Sequence, residues 1–286
     1  MQTFAYSMLA AALYGTGLVT TYCGLRHMQE LAGARVSIPS AALLFWLLSP
    51  WMVDWSAWQA QAVTVFALVG LFYPAVVTLL TFAGNRRLGP NVAGTIGSTT
   101  PLFAVLGAAA FLGEALGARE LVATTSIVLG TMVLSRPAAG VTEIPPRSAL
   151  WMPWSAALLR SIAQVLSKAG LALWPNPFAV ALVSYSVSVA VVWTAGVFAP
   201  VRSAPAFTRR GVAWFALTGV LNGAAVLSMY YALTTGPVNA VAPVVATYPL
   251  FTLVLSAALL RQQRLSGRLM GGVVLTVAGI AILLVR

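Results

Sequence analysis

The sequence contains few acidic residues, one cysteine (Cys23) and one histidine (His27). Asp and Glu number 5 among 286 residues, against 16 Lys and Arg. A lone cysteine excludes a disulfide framework and a multi-cysteine metal site. The apolar segments also lack the acid pair, paired histidines or nucleophile–base pair that an intramembrane enzyme needs. We therefore expect a protein that is not an enzyme and binds no metal and no cofactor.

Long apolar stretches dominate the sequence, with 60% hydrophobic residues, 7% charged residues and a mean hydropathy of +0.91. A soluble domain carries about 25% charged residues. Each stretch is long enough to cross about 30 Å of hydrocarbon as a helix. The sequence therefore predicts an all-α membrane protein embedded in a lipid bilayer. Its ten transmembrane helices are predicted over residues 3–24, 36–53, 60–83, 90–112, 119–135, 149–171, 178–199, 211–233, 238–260 and 268–285.

The net charge of +11 comes from basic residues in the loops between these spans, so we expect no nucleic-acid partner. Only Arg119 and Arg286 lie after even-numbered spans. By the positive-inside rule, this asymmetry predicts that both termini lie outside the cytoplasm. The loops after odd-numbered spans hold Arg26, Arg35, Arg86, Arg87, Arg136, Arg147, Arg202, Arg209, Arg210, Arg261, Arg264 and Arg268.

Two apolar segments of the sequence, 91–112 and 239–260, repeat each other. At a constant offset, residues of the first segment recur in the second as Asn91/Asn239, Thr99/Thr247, Pro101/Pro249, Leu102/Leu250, Phe103/Phe251, Ala109/Ala257, Ala110/Ala258 and Leu112/Leu260. The spans divide into a first repeat (1–140), a linker (141–148) and a second repeat (149–286). Since five spans are an odd number, the second repeat enters the membrane from the opposite side. The sequence thus predicts two inverted five-helix repeats around a central cavity, with a substrate site near the midplane.

These features resemble the drug/metabolite transporter superfamily and, more narrowly, its EamA-type exporters. The resemblance rests on the ten spans, the Gly89-Pro90-Asn91 turn before the segment 99–103 (Thr-Thr-Pro-Leu-Phe), and Gly113-Glu114 at the end of that helix. It implies a multi-pass exporter of the bacterial inner membrane that works by alternating access, most similar to the aromatic amino-acid exporters. Glu114 departs from symmetry, because Gln262-Gln263 stands at the equivalent place.

Span six carries a polar stripe of Arg160, Gln164 and Lys168, four residues apart and thus on one helix face. An arginine at mid-span costs about 2.5–3.5 kcal/mol, so it faces a bundle interior or a wet cavity. We predict that the stripe binds a substrate carboxylate. The alternative is structural, with Arg160 bound to free carbonyls at a helix break and Lys168 extended to the interface.

Pro101 and Pro249 lie half-way along their spans, where each frees a carbonyl four residues back, and Pro243 adds another predicted break. We predict that these three prolines are hinges of alternating access; kinks that serve helix packing alone are the alternative. Polar residues beside them are predicted to bind substrate: Thr95, Ser98, Thr99 and Tyr248. Asn91 and Asn239 are predicted to cap their helices.

The family resemblance adds substrate contacts in spans one, three and eight: Tyr14, Tyr73, Asn222 and Tyr230. Aromatic and other apolar amino acids are the predicted substrates, bound by a protein that functions as a monomer. Sugar phosphates, or drugs in a multidrug exporter, are the alternative substrates. A structural or receptor scaffold fits the duplicated, charged spans poorly.

Overall fold

The computed structural model describes residues 1–134, 147–198, 207–260 and 267–284. Within these ranges only the backbone is described at 89–92, 94–95, 147, 195–198 and 256–260. The described residues contain no strand. They form twelve α-helices: α1 (Gln2–Leu25), α2 (Glu30–Met52), α3 (Ala60–Phe72), α4 (Ala75–Gly97), α5 (Thr100–Leu112), α6 (Ala118–Leu134), α7 (Trp151–Leu173), α8 (Pro177–Phe198), α9 (Arg209–Thr235), α10 (Val238–Val245), α11 (Tyr248–Leu260) and α12 (Gly267–Leu284).

The predicted all-helical membrane architecture is confirmed. Helices suit this composition because lipid offers no partner to the backbone, and a helix satisfies its own N–H and C=O groups. In the described ranges, 8 helical segments are long and apolar enough to cross a membrane, and α5 is a shorter apolar helix. The predicted count of ten is not fully matched, since α5 has 13 residues and α6 has 17.

The third predicted span, 60–83, lies within one helical segment long enough to cross a membrane, Ala60–Leu88. We predicted that this span ends before Gly89-Pro90, but the backbone of α4 remains helical through both residues. A break that was not predicted lies inside the span, between α3 and α4 at Tyr73-Pro74. A proline pushes the residue before it out of the helical region. Tyr73 is accordingly extended, with φ −128° and ψ 121°.

The duplication is visible as two helix breaks at equivalent positions. Helix α4 ends at Gly97 and α5 begins at Thr100, while α10 ends at Val245 and α11 begins at Tyr248. Pro101 and Pro249 are each the second residue of the helix that follows, where a missing N–H costs nothing. The two predicted mid-span breaks are therefore confirmed.

No break occurs at Pro243, contrary to our prediction, because α10 is continuous from Val238 to Val245. Pro243 removes the N–H that would bond to the carbonyl of Asn239. Asn239 is the second residue of α10, so the loss is confined to one hydrogen bond near the start of a short helix.

Helix packing follows the repeat. Helix α1 of the first repeat packs against α11 of the second, and the equivalent contact joins α7 of the second repeat to α5 of the first. The last helices of the two repeats, α6 and α12, pack against each other. A side chain at Gly130 would clash with Thr276, and one at Gly279 would clash with the backbone of Ala123. Small residues thus allow this close contact, as is usual between transmembrane helices.

The bundle has two ends, which we name by their residues. At the terminal end, Thr3 near the start of α1 donates to the carbonyl of Thr235 at the end of α9, at 3.0 Å. At the arginine end, Thr208 before α9 donates to the carbonyl of His27 after α1, at 3.4 Å. Arg86 also pairs there with Glu30 at 2.7 Å, which ties α4 to α2.

Candidate functional site

A central cavity of about 140 Å³ lies among helices from both repeats. On α1 it is lined from Tyr14 to Thr21, and on α7 from Pro153 to Gln164. The first half of α1 and the last third of α7, which lie toward the terminal end, contribute nothing to it. The cavity therefore extends from the middle of the bundle toward the arginine end. Its polar lining consists of Tyr14, Thr21, Tyr73, Thr78, Thr81, Asn85, Thr100, Arg160, Gln164, Tyr185, Asn222 and Tyr248.

Arg160 is the one charged residue in the lining. Its guanidinium is half-buried and donates to Thr81 Oγ1 at 3.4 Å. It is close enough to the hydroxyls of Tyr14, Tyr73 and Tyr248 to interact with each electrostatically. Arg160 forms no ion pair with a carboxylate in the part of the chain that the structure describes. The cavity thus presents an unneutralised positive charge.

Tyrosines surround this charge. The Tyr14 and Tyr73 hydroxyls share a hydrogen bond of 2.7 Å that joins α1 to the α3–α4 break. Tyr185 of α8 also lines the cavity, although the sequence did not single it out. Its aromatic side chain, among the small and branched residues of a predicted span, was the feature of the sequence that could have indicated a lining position. The cavity wall is therefore amphipathic, with ring faces and hydroxyls together.

The two helix breaks meet at the cavity. Gly97, at the first break, and Tyr248, at the second, both line it. A Cβ on Gly97 would lie 3.4 Å from the Tyr248 hydroxyl, so the two breaks approach to van der Waals contact. Pro101 follows the lining residue Thr100 on α5, and Pro249 follows the lining residue Tyr248 on α11.

Asn222 and Gln164 complete the polar lining. A side chain at Gly17 of α1 would clash with the Asn222 amide oxygen, so the glycine creates the space that the amide occupies. Gln164 lies one helical turn beyond Arg160 on α7 and is 3% exposed. Its Oε1 is buried and accepts no hydrogen bond from the described residues.

Several predicted site residues lie outside the cavity lining. Ser98 and Thr99 are buried in the first helix break, where the Thr99 hydroxyl donates to Ile96 O at 2.6 Å. Tyr230 is fully buried one residue past Met229, the last lining residue of α9. The side chain of Thr95 lies outside the described residues, as does that of Asn91.

Lys168 also lies beyond the cavity, at the terminal end. Its ammonium donates to the carbonyls of Leu233 at 2.6 Å and Gly236 at 2.9 Å, where α9 ends. The structure therefore places Arg160 and Gln164 together and separates Lys168 from them. Backbone carbonyls, which the structural alternative assigned to Arg160, are thus the partners of Lys168.

Glu114 binds the other side of the same turn. Its two carboxylate oxygens accept hydrogen bonds from the backbone N–H of Val238 at 2.7 Å and of Asn239 at 3.0 Å. The Asn239 side chain donates to the carbonyl of Ala115 at 3.0 Å, so the prediction that Asn239 caps its own helix is wrong. A glutamate from the first repeat caps α10 instead. We call Lys168, Glu114 and the turn between α9 and α10 the end clamp.

Comparison with known proteins agrees with this architecture. The sequence profile of the EamA-like transporter family matches residues 2–136 and 147–285. A solved structure described only as a crystal structure of a protein superposes with a TM-score of 0.80 at 19% identity, covering 98% of this chain and 95% of the other. At that identity the likeness shows a shared fold. No curated protein matches the sequence.

The family match covers both copies of the duplicated unit, and the structure shows their equivalent helix breaks around one cavity. The chain belongs to the EamA-like transporter family.

Proposed function

We propose that this membrane transporter carries amino acids, with aromatic and other apolar ones favoured, and exports them by alternating access. The observation that carries the proposal is the single unpaired guanidinium of Arg160 in a cavity otherwise lined by tyrosines, amides, hydroxyls and apolar residues. A guanidinium forms strong, directional hydrogen bonds with a carboxylate. The tyrosine rings and residues such as Val77 and Met229 suit an apolar side chain.

The charges of the cavity favour amino acids over the alternative substrates. A sugar phosphate carries about two negative charges and calls for more than one cation. A cationic drug calls for a buried acid, and no Asp or Glu is among the lining residues. A zwitterion needs one cation and a set of neutral acceptors, which this lining supplies.

Alternating access is supported by the relation between α1 and α7, the first helices of the two repeats. The start of α1 contacts Thr235, while Lys168 in the second half of α7 contacts Leu233 and Gly236 in the same region. The two equivalent helices therefore run in opposite directions, as in an inverted repeat. Such repeats exchange conformations about a site near the midplane.

Export is supported by the direction in which the cavity extends. It points toward the end that holds Arg26, Arg86 and Arg209, which the positive-inside rule assigns to the cytoplasm. A cavity on that side loads cytoplasmic substrate. Under this assignment the bacterial inner membrane is the proposed location.

Counterflow in proteoliposomes tests the proposed function. Purified protein is reconstituted with unlabelled compound inside, and uptake of labelled L-phenylalanine, L-leucine, a sugar phosphate or an organic cation is measured. We expect accumulation of the amino acids alone. Accumulation of the sugar phosphate or the cation without amino acids would overturn the proposed substrate class.

A further inference from the structure

We infer that the cavity holds a substrate ammonium group at the second helix break, on the carbonyl of Val245 and the amide oxygen of Gln164, while Arg160 holds the carboxylate. This inference rests on the proposed amino-acid transport and assigns an orientation to the substrate. It follows from a difference between the two helix breaks, which can be compared residue by residue because they occupy equivalent positions in the two repeats.

In the first repeat, the carbonyl freed by Pro101 is occupied. Pro101 has no N–H to offer to Gly97, but the Thr100 hydroxyl donates to the Gly97 carbonyl at 2.8 Å. A second hydroxyl in the same turn, that of Thr99, donates to Ile96 O. Both threonine hydroxyls of this break are thus bonded to backbone carbonyls.

In the second repeat, the equivalent carbonyl is left without that donor. Thr247 donates to Val244 O at 2.7 Å, as Thr99 does to Ile96 O. At the next position, however, Tyr248 replaces Thr100, and its hydroxyl extends toward Gly97 instead. Pro249 has no N–H for Val245 O, and no side chain of the described residues donates to it. Val245 lines the cavity.

Gln164 provides an independent acceptor in the same cavity. It is 97% buried, lines the cavity, and its Oε1 has no donor among the described residues. An unpaired buried carbonyl carries a free-energy cost. A bound ammonium would remove that cost, because it has three donors and no acceptor.

The spacing on α7 fits a single zwitterion. Arg160 and Gln164 are four residues apart on one helix face, with Cβ atoms about 5–6 Å apart. The ammonium nitrogen and carboxylate carbon of an amino acid lie about 2.5 Å apart, given standard bond lengths. Both groups therefore fit between the two side chains. Asn222 and Tyr248 also line this space.

The experiment compares two probes with the same ring and carboxylate, L-phenylalanine and 3-phenylpropionate, which lacks the ammonium. Binding to purified full-length protein is measured calorimetrically. The first variant, Gln164→Leu, removes the amide at similar size. The second, Tyr248→Thr, restores the hydroxyl that occupies the equivalent carbonyl in the first repeat. Tyr248→Phe is its matched control, because it alters the same residue without supplying that hydroxyl.

We expect Gln164→Leu and Tyr248→Thr each to weaken phenylalanine binding about tenfold or more, as for loss of a hydrogen bond to a charged group. In both variants the affinity for 3-phenylpropionate should change by less than about twofold. Tyr248→Phe should show no such selectivity. Equal losses for both probes, or no loss in either variant, would overturn the ammonium site alone. A wild-type protein that binds neither phenylalanine nor leucine would instead overturn the proposed function.

Discussion

Arg160 is the residue on which the proposed substrate class depends most. A charge at mid-membrane is costly, and in most proteins an acid or backbone carbonyls reduce the cost. Among the described residues Arg160 has only the Thr81 hydroxyl, at the long distance of 3.4 Å. The guanidinium therefore keeps most of its hydrogen-bonding capacity for a ligand.

Replacing Arg160 with Gln should reduce amino-acid binding by at least about tenfold, because a charge-assisted hydrogen bond is lost. Arg160→Lys should retain part of the affinity, since the charge remains but the planar two-donor geometry does not. Counterflow of labelled leucine measures both. The matched control is Arg26→Gln, an exposed arginine outside the cavity whose guanidinium bonds to Tyr22. Unchanged counterflow in Arg160→Gln would remove Arg160 from the site.

At the scale of helices, close approach depends on a few glycines. Gly219 of α9 is the clearest case, because a Cβ there would clash with the backbone oxygen of Ser37 on α2. Neither atom lies at the end of a flexible side chain. The contact between α2 and α9 therefore requires a residue without a side chain at this position.

Gly219→Ala should destabilise the folded protein by about 1–3 kcal/mol, the usual cost of overpacking. Thermal unfolding in detergent measures the effect. Gly271→Ala is the control, since a Cβ at Gly271 of α12 meets no atom within 4 Å. Equal stability of the two variants would contradict the packing that we describe.

The helices and their breaks were largely predictable, because both follow from composition and from proline chemistry along one chain. Gly89-Pro90 and Pro243 were exceptions, because the chain remains helical at both, and the break at Tyr73-Pro74 was not predicted. A proline excludes the preceding residue from helical geometry only where packing does not restore it. Sequence spacing alone does not distinguish the two cases.

The sequence indicated which helix face carries the polar residues of the candidate site, but not how far the cavity extends along that helix. The spacing of Arg160, Gln164 and Lys168 correctly indicated one face of α7, yet Lys168 lies beyond the cavity. Helical periodicity reports a side chain's angle about the axis, and it carries no information on where a cavity ends. Tyr185 and Glu114 were missed for a related reason, since their positions depend on contacts between distant helices.

At the scale of the whole molecule, orientation in the membrane is testable with two matched cysteines. Gln29 and Gln59 are exposed residues that precede α2 and α3, at opposite ends of the bundle. In a Cys23→Ser background, we expect an impermeant maleimide added to intact cells to label Gln59→Cys and not Gln29→Cys. This follows from the arginine-rich loops at the Gln29 end. The reverse pattern would contradict the charge-based orientation.

The end clamp joins the two repeats at the terminal end, beyond the lining residues of the cavity. Lys168 of the second repeat and Glu114 of the first bind opposite sides of the turn between α9 and α10. These are hydrogen bonds to charged groups, each with a net value of about 1.5–3 kcal/mol. They lie where the cavity has no lining, so opening toward this end requires that the turn leave one partner or the other.

Lys168→Met should therefore shift the population toward a form open at the terminal end, by about tenfold or more. The reporter is Ala242→Cys in the Cys23→Ser background, on a cavity-lining residue of α10 that is 3% exposed. Labelling by an impermeant maleimide from the terminal side should be faster in the Lys168→Met variant.

Arg119→Gln is the control for that shift. Arg119 also caps a helix at the terminal end, donating to the carbonyls of Ile282 at 2.8 Å and Leu283 at 2.9 Å. Its contacts remain within the α6–α12 pair and do not involve the turn between α9 and α10. Loss of a capping cation there should leave the labelling rate unchanged. If Lys168→Met and Arg119→Gln label alike, the end clamp is only a helix cap, and closure of the terminal end depends on helix packing instead.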